Sequence, residues 1–425
     1  MKYWLAALVF FTAAAGADPL AITGATLWTG TADQPVMDAT IVIVDRRIVA
    51  IGARLTPPVG ARVIHAQGQV VTAPLDAAAT QIGLVEVASA SDTDDRAVQS
   101  GPLGAAFDVS LGVDANDLPV AAARAAGVAR ALIFPNPATN GIFAGQAARL
   151  DLLGRSDIVA RARVAVFVTA GGVAAHAAGG SRAAMWGYLR NALTEARQLG
   201  SKPAVYKPRD QLLSHVELEA LLPLISKRMP LAVVAEREAD IRQAIAVGQD
   251  FNINIIIVGG AEAWRAADLL ASHHVAVVLD PLDELPVSYD NIGARRDNAK
   301  RLAAAGVTIS FMVSGQGIYL SYDVGPALRE GAGIAVANGL PYAQALRAIT
   351  QNASQIWGDS KRSGIVAPGG PADLVIWDGD PLEPSTAPIA VFLNGSEVSL
   401  TTHQTLLRDR YRPPSGERQA TPQNP

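Results

Sequence analysis

The chain contains no cysteine, few aromatic residues and few charges. Without cysteine it can form no disulfide, no thiol nucleophile and no thiolate metal site. Aromatic residues make up 5% and charged residues 17% of the 425 positions, whereas 50% are hydrophobic, so the composition supports a large folded core and excludes global disorder. The net charge of −4 argues against nucleic acid as a partner. There are only six histidines, which limits the ligands available for any metal site.

The two termini differ in character from the rest of the chain. Residues 1–17 have the features of a secretory signal peptide: a charge at Lys2, an apolar run over Trp4–Ala15 and an A-x-A cleavage site before Asp18. The run is too short to span about 30 Å of hydrocarbon, which argues against a membrane anchor, and no later stretch is apolar enough for a stable membrane span. We therefore predict a periplasmic or secreted protein. Residues 413–425 are polar and proline-rich and are predicted to be disordered.

Both ends of the mature chain are typical of short β-strands. Residues 18–72 alternate short apolar runs with turns, and residues 364–412 include the hairpin turn signal Asn394-Gly395. Between them, residues 73–363 alternate helix patterns with nearly continuous apolar strands, which is typical of βα repeats. Such repeats form either a closed barrel or an open doubly wound sheet, and no G-x-G-x-x-G motif supports the second arrangement.

Two stretches carry a resemblance to a known family. Val71–Val87 reads VTAPLDAAATQIGLVEV and Gly364–Pro381 reads GIVAPGGPADLVIWDGDP. They resemble the first barrel strand and a non-catalytic β segment of the metal-dependent amidohydrolases, and residues 140–147, 179–190 and 230–241 resemble the imidazolonepropionase-like branch of that superfamily. The resemblance implies an α/β fold: a (β/α)8 TIM-like barrel beside a small, discontinuous β-sandwich domain built from both chain ends. It also implies zinc or another divalent metal at the barrel mouth.

The metal ligands of that family are missing here. Its first barrel strand ends in V-x-P-G-x-x-D-x-H-x-H, and the two histidines point to the same side because strand side chains alternate. Counted back from Gly83, the histidine positions hold Ala79 and Gln81, and counted forward from Pro74 they hold Thr80 and Ile82. Neither register provides a metal ligand. The former ligand positions, which we expect to line the pocket, are Ala79, Gln81, Val234, Glu236, Gly259 and Ser314. Since a catalytic metal needs about three protein ligands, we predict that this chain holds no metal and uses no other cofactor.

Four residues remain as catalytic candidates: Glu236, Gln81, Ser314 and His176. Ser314 lacks the leading G-x of a G-x-S-x-G nucleophile elbow, and His176 lies in a glycine-rich loop within reach of the mouth. Because a buried carboxylate needs a partner or a proton, Glu236 is predicted at the C-terminal rim of the barrel, hydrogen-bonded to a side chain such as Gln81 or an arginine. Asp283 is expected in a solvated acidic turn.

Two functional hypotheses follow. The first is an exported amidohydrolase-like pseudoenzyme, metal-free and catalytically degenerate, which acts by binding a small molecule or as the partner of an active, related amidohydrolase subunit. The second is an active hydrolase of non-peptide carbon–nitrogen bonds that uses an atypical site around Gln81, Glu86, Glu236 and Ser314. Hydrolysis of a stable amide needs an activated nucleophile, and the sequence offers none, which favours the first hypothesis.

Overall fold

A computed structural model describes residues 19–87, 90–136, 141–153, 157–201, 212–283, 285–313, 323–359 and 362–412. The predicted signal peptide, the predicted disordered tail and Ser314 lie outside the described residues.

The two chain ends form one mixed sheet. Its strands are β1 (Leu20–Leu27), β2 (Val36–Val44), β3 (Arg47–Ala53), β4 (Arg62–His65), β5 (Val70–Thr72), β14 (Leu374–Trp377), β15 (Pro388–Leu393) and β16 (Ser396–Glu397). The order is β16-β15-β14-β5-β1-β2-β3, with β4 also paired to β1. The antiparallel pairing of β14 with β5 joins the end of the chain to its beginning. Asn394 and Gly395 both have positive φ, 49° and 69°, and make the predicted turn between β15 and β16.

This end sheet curls around a small core of its own. Ile48 in β3 donates its N–H to Gly370 and accepts from Gly369, which brings the edge strand back to the segment that leads into β14. The enclosed core contains Ile22, Ile41, Leu374 and their neighbours. This composite domain therefore closes by pairing residues from opposite ends of the chain.

A second eight-stranded sheet forms a nearly closed barrel. Its strands, in spatial as well as chain order, are β6 (Leu75–Thr80), β7 (Val128–Ile133), β8 (Phe143–Asp151), β9 (Val159–Thr169), β10 (Leu231–Ala235), β11 (Ile255–Gly259), β12 (Ala276–Leu279) and β13 (Ile309–Phe311). Strand β13 lies against β6 across the remaining seam. The predicted α/β barrel with a second domain from both chain ends is thus confirmed.

The barrel departs from a continuous βα repeat at one strand. Strand β8 runs antiparallel to both β7 and β9, whereas the other paired neighbours are parallel. The physical reason is the length of its connections. Links 134–142 and 152–158 are shorter than the dozen or so residues that a parallel crossover needs.

Helices pack on the outside of the barrel and at its ends. They are α1 (Leu118–Ala125), α2 (Gly172–Ala177), α3 (Arg182–Ser201), α4 (His215–Ile225), α5 (Glu238–Phe251), α6 (Ala267–Ser272), α7 (Asn298–Ala304), α8 (Val324–Ala337), α9 (Tyr342–Ala348), α10 (Gln351–Ile356) and α11 (His403–Tyr411). Ser214 caps α4 as its sequence pattern indicates, since its hydroxyl accepts the N–H of Glu217. Across the described ranges, no helix combines the length and apolar character that crossing a membrane requires.

The interior of the barrel is filled with apolar side chains. Phe134 and Phe167 stack with ring centroids 5.3 Å apart, and Trp357, which follows α10, stacks on Phe167 at 6.2 Å. The surrounding lumen residues include Ala79, Leu132, Ala232, Ile256, Val258, Val278 and Met312. These positions of the barrel interior are therefore used for apolar packing.

Candidate functional site

The candidate site lies where the barrel strands end, because βα barrels place functional side chains at that face. Two of the former ligand positions there belong to the apolar lumen. Ala79 near the end of β6 is fully buried, and Val234 in β10 packs against the same lumen cluster. A methyl group and an isopropyl group stand at these two positions, so this wall of the mouth has no coordinating atoms there.

Gln81 is committed to a polar network beside β6 and β7. Its Nε2 donates to Asn136 Oδ1 at 2.5 Å, and its Oε1 accepts from Arg96 Nη1 at 3.1 Å. Arg96 is itself held by Asp94 through two hydrogen bonds of 2.8 and 2.5 Å, and this contact lowers the pKa of Asp94. Both ends of the buried Gln81 amide are satisfied. The side chain supports the loop after β6 and does not contact Glu236 through a hydrogen bond.

Glu236 directly follows β10 at the predicted rim of the barrel. Its Oε2 accepts the backbone N–H of Ala261 at 2.8 Å, so the prediction of a side-chain partner from Gln81 or an arginine was wrong. Burial raises the pKa of Glu236 to about 7; the Ala261 hydrogen bond acts against this rise, and the negative charges of Asp283, Asp290 and Asp280 add to it. The physical reason for the error is that the turn after β11 presents a backbone donor at this point, which no side-chain pattern indicates.

The side chain of Glu236 occupies the space that a side chain at position 259 would need. Gly259 ends β11 with φ at +88°, and a Cβ atom placed on it would lie 2.2 Å from Glu236 Oε1. A side chain at position 259 and the observed position of Glu236 are therefore incompatible. Where the related family has a histidine, this chain has a glycine, and the carboxylate of Glu236 fills the space.

Carboxylates surround Glu236 at the rim. Asp280 follows β12 and accepts the N–H of Leu282 at 2.9 Å through Oδ1. Burial, followed by the charge of Asp280, raises the pKa of Asp283, which is half-buried in the turn after β12. Asp290 accepts the N–H of Gly172 at 2.7 Å. The mouth is thus acidic as well as apolar.

One arginine balances part of this charge. Arg182, at the start of α3, forms an ion pair with Asp290 and lies 3.4 Å from Asp240. Asp240 also accepts the indole N–H of Trp186 at 3.1 Å. Sequence analysis did not single out Asp280, Asp290 or Arg182, because acidic turn residues in separate loops carry no signal that they meet.

The other candidates are not brought into contact with Glu236. His176 lies in α2 with an exposed side chain. Glu86 lies near a different acidic group, where burial and the charges of Asp114, Glu86 and Asp95 raise the pKa of Asp117 to about 6. Ser314 is outside the described residues. The structure therefore does not assemble the atypical constellation of Gln81, Glu86 and Glu236.

The residues at the family's metal positions do not fit a catalytic metal. Ala79 and Val234 are apolar, both ends of the Gln81 amide are bonded, and Gly259 has no side chain. Among the described residues, His, Cys, Asp and Glu form no group of three or more that could hold an ion. A catalytic zinc site needs about three such ligands and an open position, and Glu236 supplies only one carboxylate.

Comparisons with known proteins agree with this fold. The amidohydrolase family model matches residues 245–403. A segment of 58 residues, 14% of this chain, is 40% identical to amidohydrolase tasK of Hapsidospora irregularis but spans only 6% of that protein. Among solved structures, an amidohydrolase from Thermotoga maritima aligns with a TM-score of 0.77 and 22% identity over 89% of this chain and 99% of that one.

Two more distant structures share the architecture. A putative prolidase from Bifidobacterium longum aligns with a TM-score of 0.53 and 16% identity over 93% of this chain and 99% of that one. An adenosine deaminase from Xanthomonas campestris with bound zinc aligns with a TM-score of 0.50 and 16% identity over 92% and 96%. At these identities the structural matches show the common fold. The family-model match adds a likeness of residues 245–403 to the amidohydrolase family.

Proposed function

We propose that this chain is a metal-free, catalytically degenerate amidohydrolase-like protein that acts by binding a small molecule or an active, related subunit. The single observation that supports this most is the Glu236–Gly259 pair. The carboxylate lies 2.2 Å from the point where a Cβ at position 259 would be, so the volume of a former ligand is occupied. A catalytic metal lowers the pKa of its water to about 7 only if several ligands fix it.

The mouth has the chemistry of a binding site for a cationic, partly apolar molecule. The half-buried Val234 offers apolar surface, while Glu236, Asp280 and Asp283 provide negative charge at the rim. A ligand with a basic group and an apolar body would place the basic group beside the carboxylates and the apolar body against Val234. A surface loop of an active, related amidohydrolase subunit could present the same chemistry, and this is the second form of the binding proposal.

One observation favours an alternative, an active hydrolase with an atypical site. The pKa of Glu236, raised to about 7, suits a general base at neutral pH. Such a base would activate a water for attack on a carbon–nitrogen bond, with the proton held at Glu236 Oε1 or Oε2. What opposes this alternative is that Arg182, the cation at the rim carboxylate Asp290, is already paired there and is not available to stabilise a developing oxyanion.

Glu236→Gln separates the two functions. The purified protein and the variant are assayed for hydrolysis of a panel of amides, N-acyl amino acids and cyclic imides. We expect equal rates at background level, with the same melting temperature within a few degrees. If the wild type turns over a substrate reproducibly and folded Glu236→Gln loses more than about 100-fold, the size of a general-base effect, the binding proposal is contradicted.

We also propose export to the periplasm or beyond, supported by the sequence of residues 1–17. The mature protein is expected to begin at Asp18, because the A-x-A site ends at Ala17. N-terminal sequencing of protein recovered from the periplasm and the medium tests this. Material that retains Trp4–Ala15 would contradict cleavage.

A further inference from the structure

A second site candidate lies away from the mouth, in a cleft between the end sheet and α9. The cleft has a volume of about 690 Å³ and is lined by Thr26, Trp28, Val70, Tyr342 and Asp380 together with a few neighbours. Val70 lies in the strand that precedes β6, so the cleft is on the side where β6 begins, opposite to Glu236. Its size and its position at a domain boundary are typical of small-molecule sites.

The cleft has an aromatic wall. The rings of Trp28 and Tyr342 lie with centroids 4.9 Å apart at an angle of 36°. Both side chains are half-buried, which leaves part of each ring exposed to the cleft. Tyr342 is fixed in place because its hydroxyl donates to Asp380 Oδ1 at 2.5 Å. Burial, reinforced by this bond, raises the pKa of Tyr342, so the phenol stays neutral.

The charged side chains that line the cleft are carboxylates. Of the described residues that line it, Asp33 and Asp380 are acidic and none is basic. Both side-chain hydrogen bonds of Asp380 go to Oδ1, from Tyr342 and from Leu382, which leaves Oδ2 for a ligand. Within the described part of the chain, Gln344 Oε1 is a buried acceptor without a hydrogen-bond partner. Asp33 forms an ion pair of 2.6 Å with Arg347, a residue that is not part of the lining. Asp380 is therefore the principal negative charge in the cleft.

From these contacts we infer that the cleft binds a small organic cation of the substituted ammonium class. The π faces of Trp28 and Tyr342 attract a cation and its apolar substituents, and Asp380 supplies the countercharge. A neutral ligand of the same shape would make the same apolar contacts with the two rings but would lack the electrostatic attraction to Asp380. An anion would meet Asp380 with no basic residue in the lining to offset it.

The test compares choline with its uncharged isostere 3,3-dimethyl-1-butanol on the full-length mature protein. Binding is followed by saturation-transfer NMR and by tryptophan fluorescence. We expect choline to bind at least about fivefold more tightly than the isostere, the range of a cation–π contact with a countercharge. Trp28→Ala is expected to abolish choline binding, and Asp380→Asn to weaken it while leaving the isostere unaffected.

Matched variants keep the result interpretable. Trp264→Ala removes another half-buried tryptophan, one that is absent from the cleft lining, and should leave choline binding unchanged. Trp28→Phe keeps an aromatic face and should retain part of the affinity even if Trp28→Ala folds poorly. Equal binding of choline and the isostere, or choline binding that survives in folded Trp28→Ala, would overturn the inference. Choline bound at the acidic mouth would instead be weakened by Glu236→Gln and retained in Trp28→Ala, so these two variants separate binding in the cleft from binding at the mouth.

Discussion

Two carboxylates at opposite ends of the same barrel have opposite electrostatic environments. Asp76, near the start of β6, receives two hydrogen bonds of 2.8 Å from Arg149 and one of 2.6 Å from Ser354. Glu236, just after β10, receives the Ala261 N–H and faces other carboxylates. The first arrangement compensates its charge fully, and the second leaves a charge that the environment disfavours. The difference separates a residue that holds the fold from one that occupies a former functional site.

The network around Asp76 extends to the end of the barrel domain. Arg149 lies in the antiparallel strand β8 and also contacts Asp359 at 2.5 Å, which in turn pairs with Arg161. Burial acts to lower the pKa of Arg149, but the charges and hydrogen bonds of Asp76 and Asp359 outweigh it and raise that pKa. Strand β8 is thereby tied to β6 and to the segment after α10, so the network fixes the irregular part of the barrel.

The largest expected effect comes from breaking this network. Arg149→Met leaves Asp76 buried without its partner, and removal of one member of a buried pair costs about 3–5 kcal/mol. Urea denaturation measures the free energy of unfolding. Arg54→Met is the control, since Arg54 is 82% exposed in its pair with Asp38 and its loss should cost less than about 1 kcal/mol. Equal costs for the two variants would contradict the structural role of the network.

The pH dependence of stability tests whether the environment of Glu236 disfavours its negative charge. Its pKa is raised from 4.5 to about 7 on folding, so the folded state binds the proton more tightly than the unfolded state. The stabilisation of the folded state by this tighter proton binding is fully present below pH 4.5 and is lost as pH rises through 7. Relative to Glu236→Gln, the wild type should lose about 2 kcal/mol across this window, less than the full linkage value because the side chain still meets solvent.

The measurement is the free energy of unfolding of both proteins from pH 4.5 to pH 8. Near pH 5 the two should agree within about 1 kcal/mol, since a protonated carboxyl and an amide make similar hydrogen bonds. Parallel stability curves over the whole range would show that Glu236 titrates normally. The contrast with Asp76 would then disappear.

A smaller effect is expected from Gly259→Ala. The new Cβ would displace Glu236 from the Ala261 N–H, and φ at +88° strains any residue with a side chain, so we expect a loss of about 1–3 kcal/mol. The double variant with Glu236→Ala removes the clash and should recover part of the loss. A double-mutant cycle measures the coupling, and strict additivity would contradict a shared volume.

The sequence predicted the parts of this molecule that depend on local patterns. The turn at Asn394-Gly395 and the cap at Ser214 were correct, because each depends on residues within one turn. Asp117 precedes α1 and is a residue type typical of N-caps, but its side chain makes no capping hydrogen bond and is buried among other carboxylates. Local propensity does not indicate which charged residues from separate loops will lie around one side chain.

The antiparallel course of β8 and the geometry of the site could not be predicted in this way. The contact of Glu236 with Ala261 joins neighbouring strand ends 25 positions apart, and Trp28 meets Tyr342 from opposite ends of the chain. Such contacts follow from tertiary packing. The occupation of the space beside Gly259 by Glu236 is likewise a tertiary contact that the sequence does not indicate.

The central claim, that the residues at the barrel mouth do not hold a catalytic metal, has a direct test. Mature protein from cells grown with added zinc, manganese and iron is purified without chelator, and its metal content per chain is determined by elemental analysis. Its melting temperature is then measured with and without EDTA, since a bound metal stabilises the folded state. We predict far less than one ion per chain and an unchanged melting temperature. One ion per chain, lost together with stability on chelation, would contradict the account.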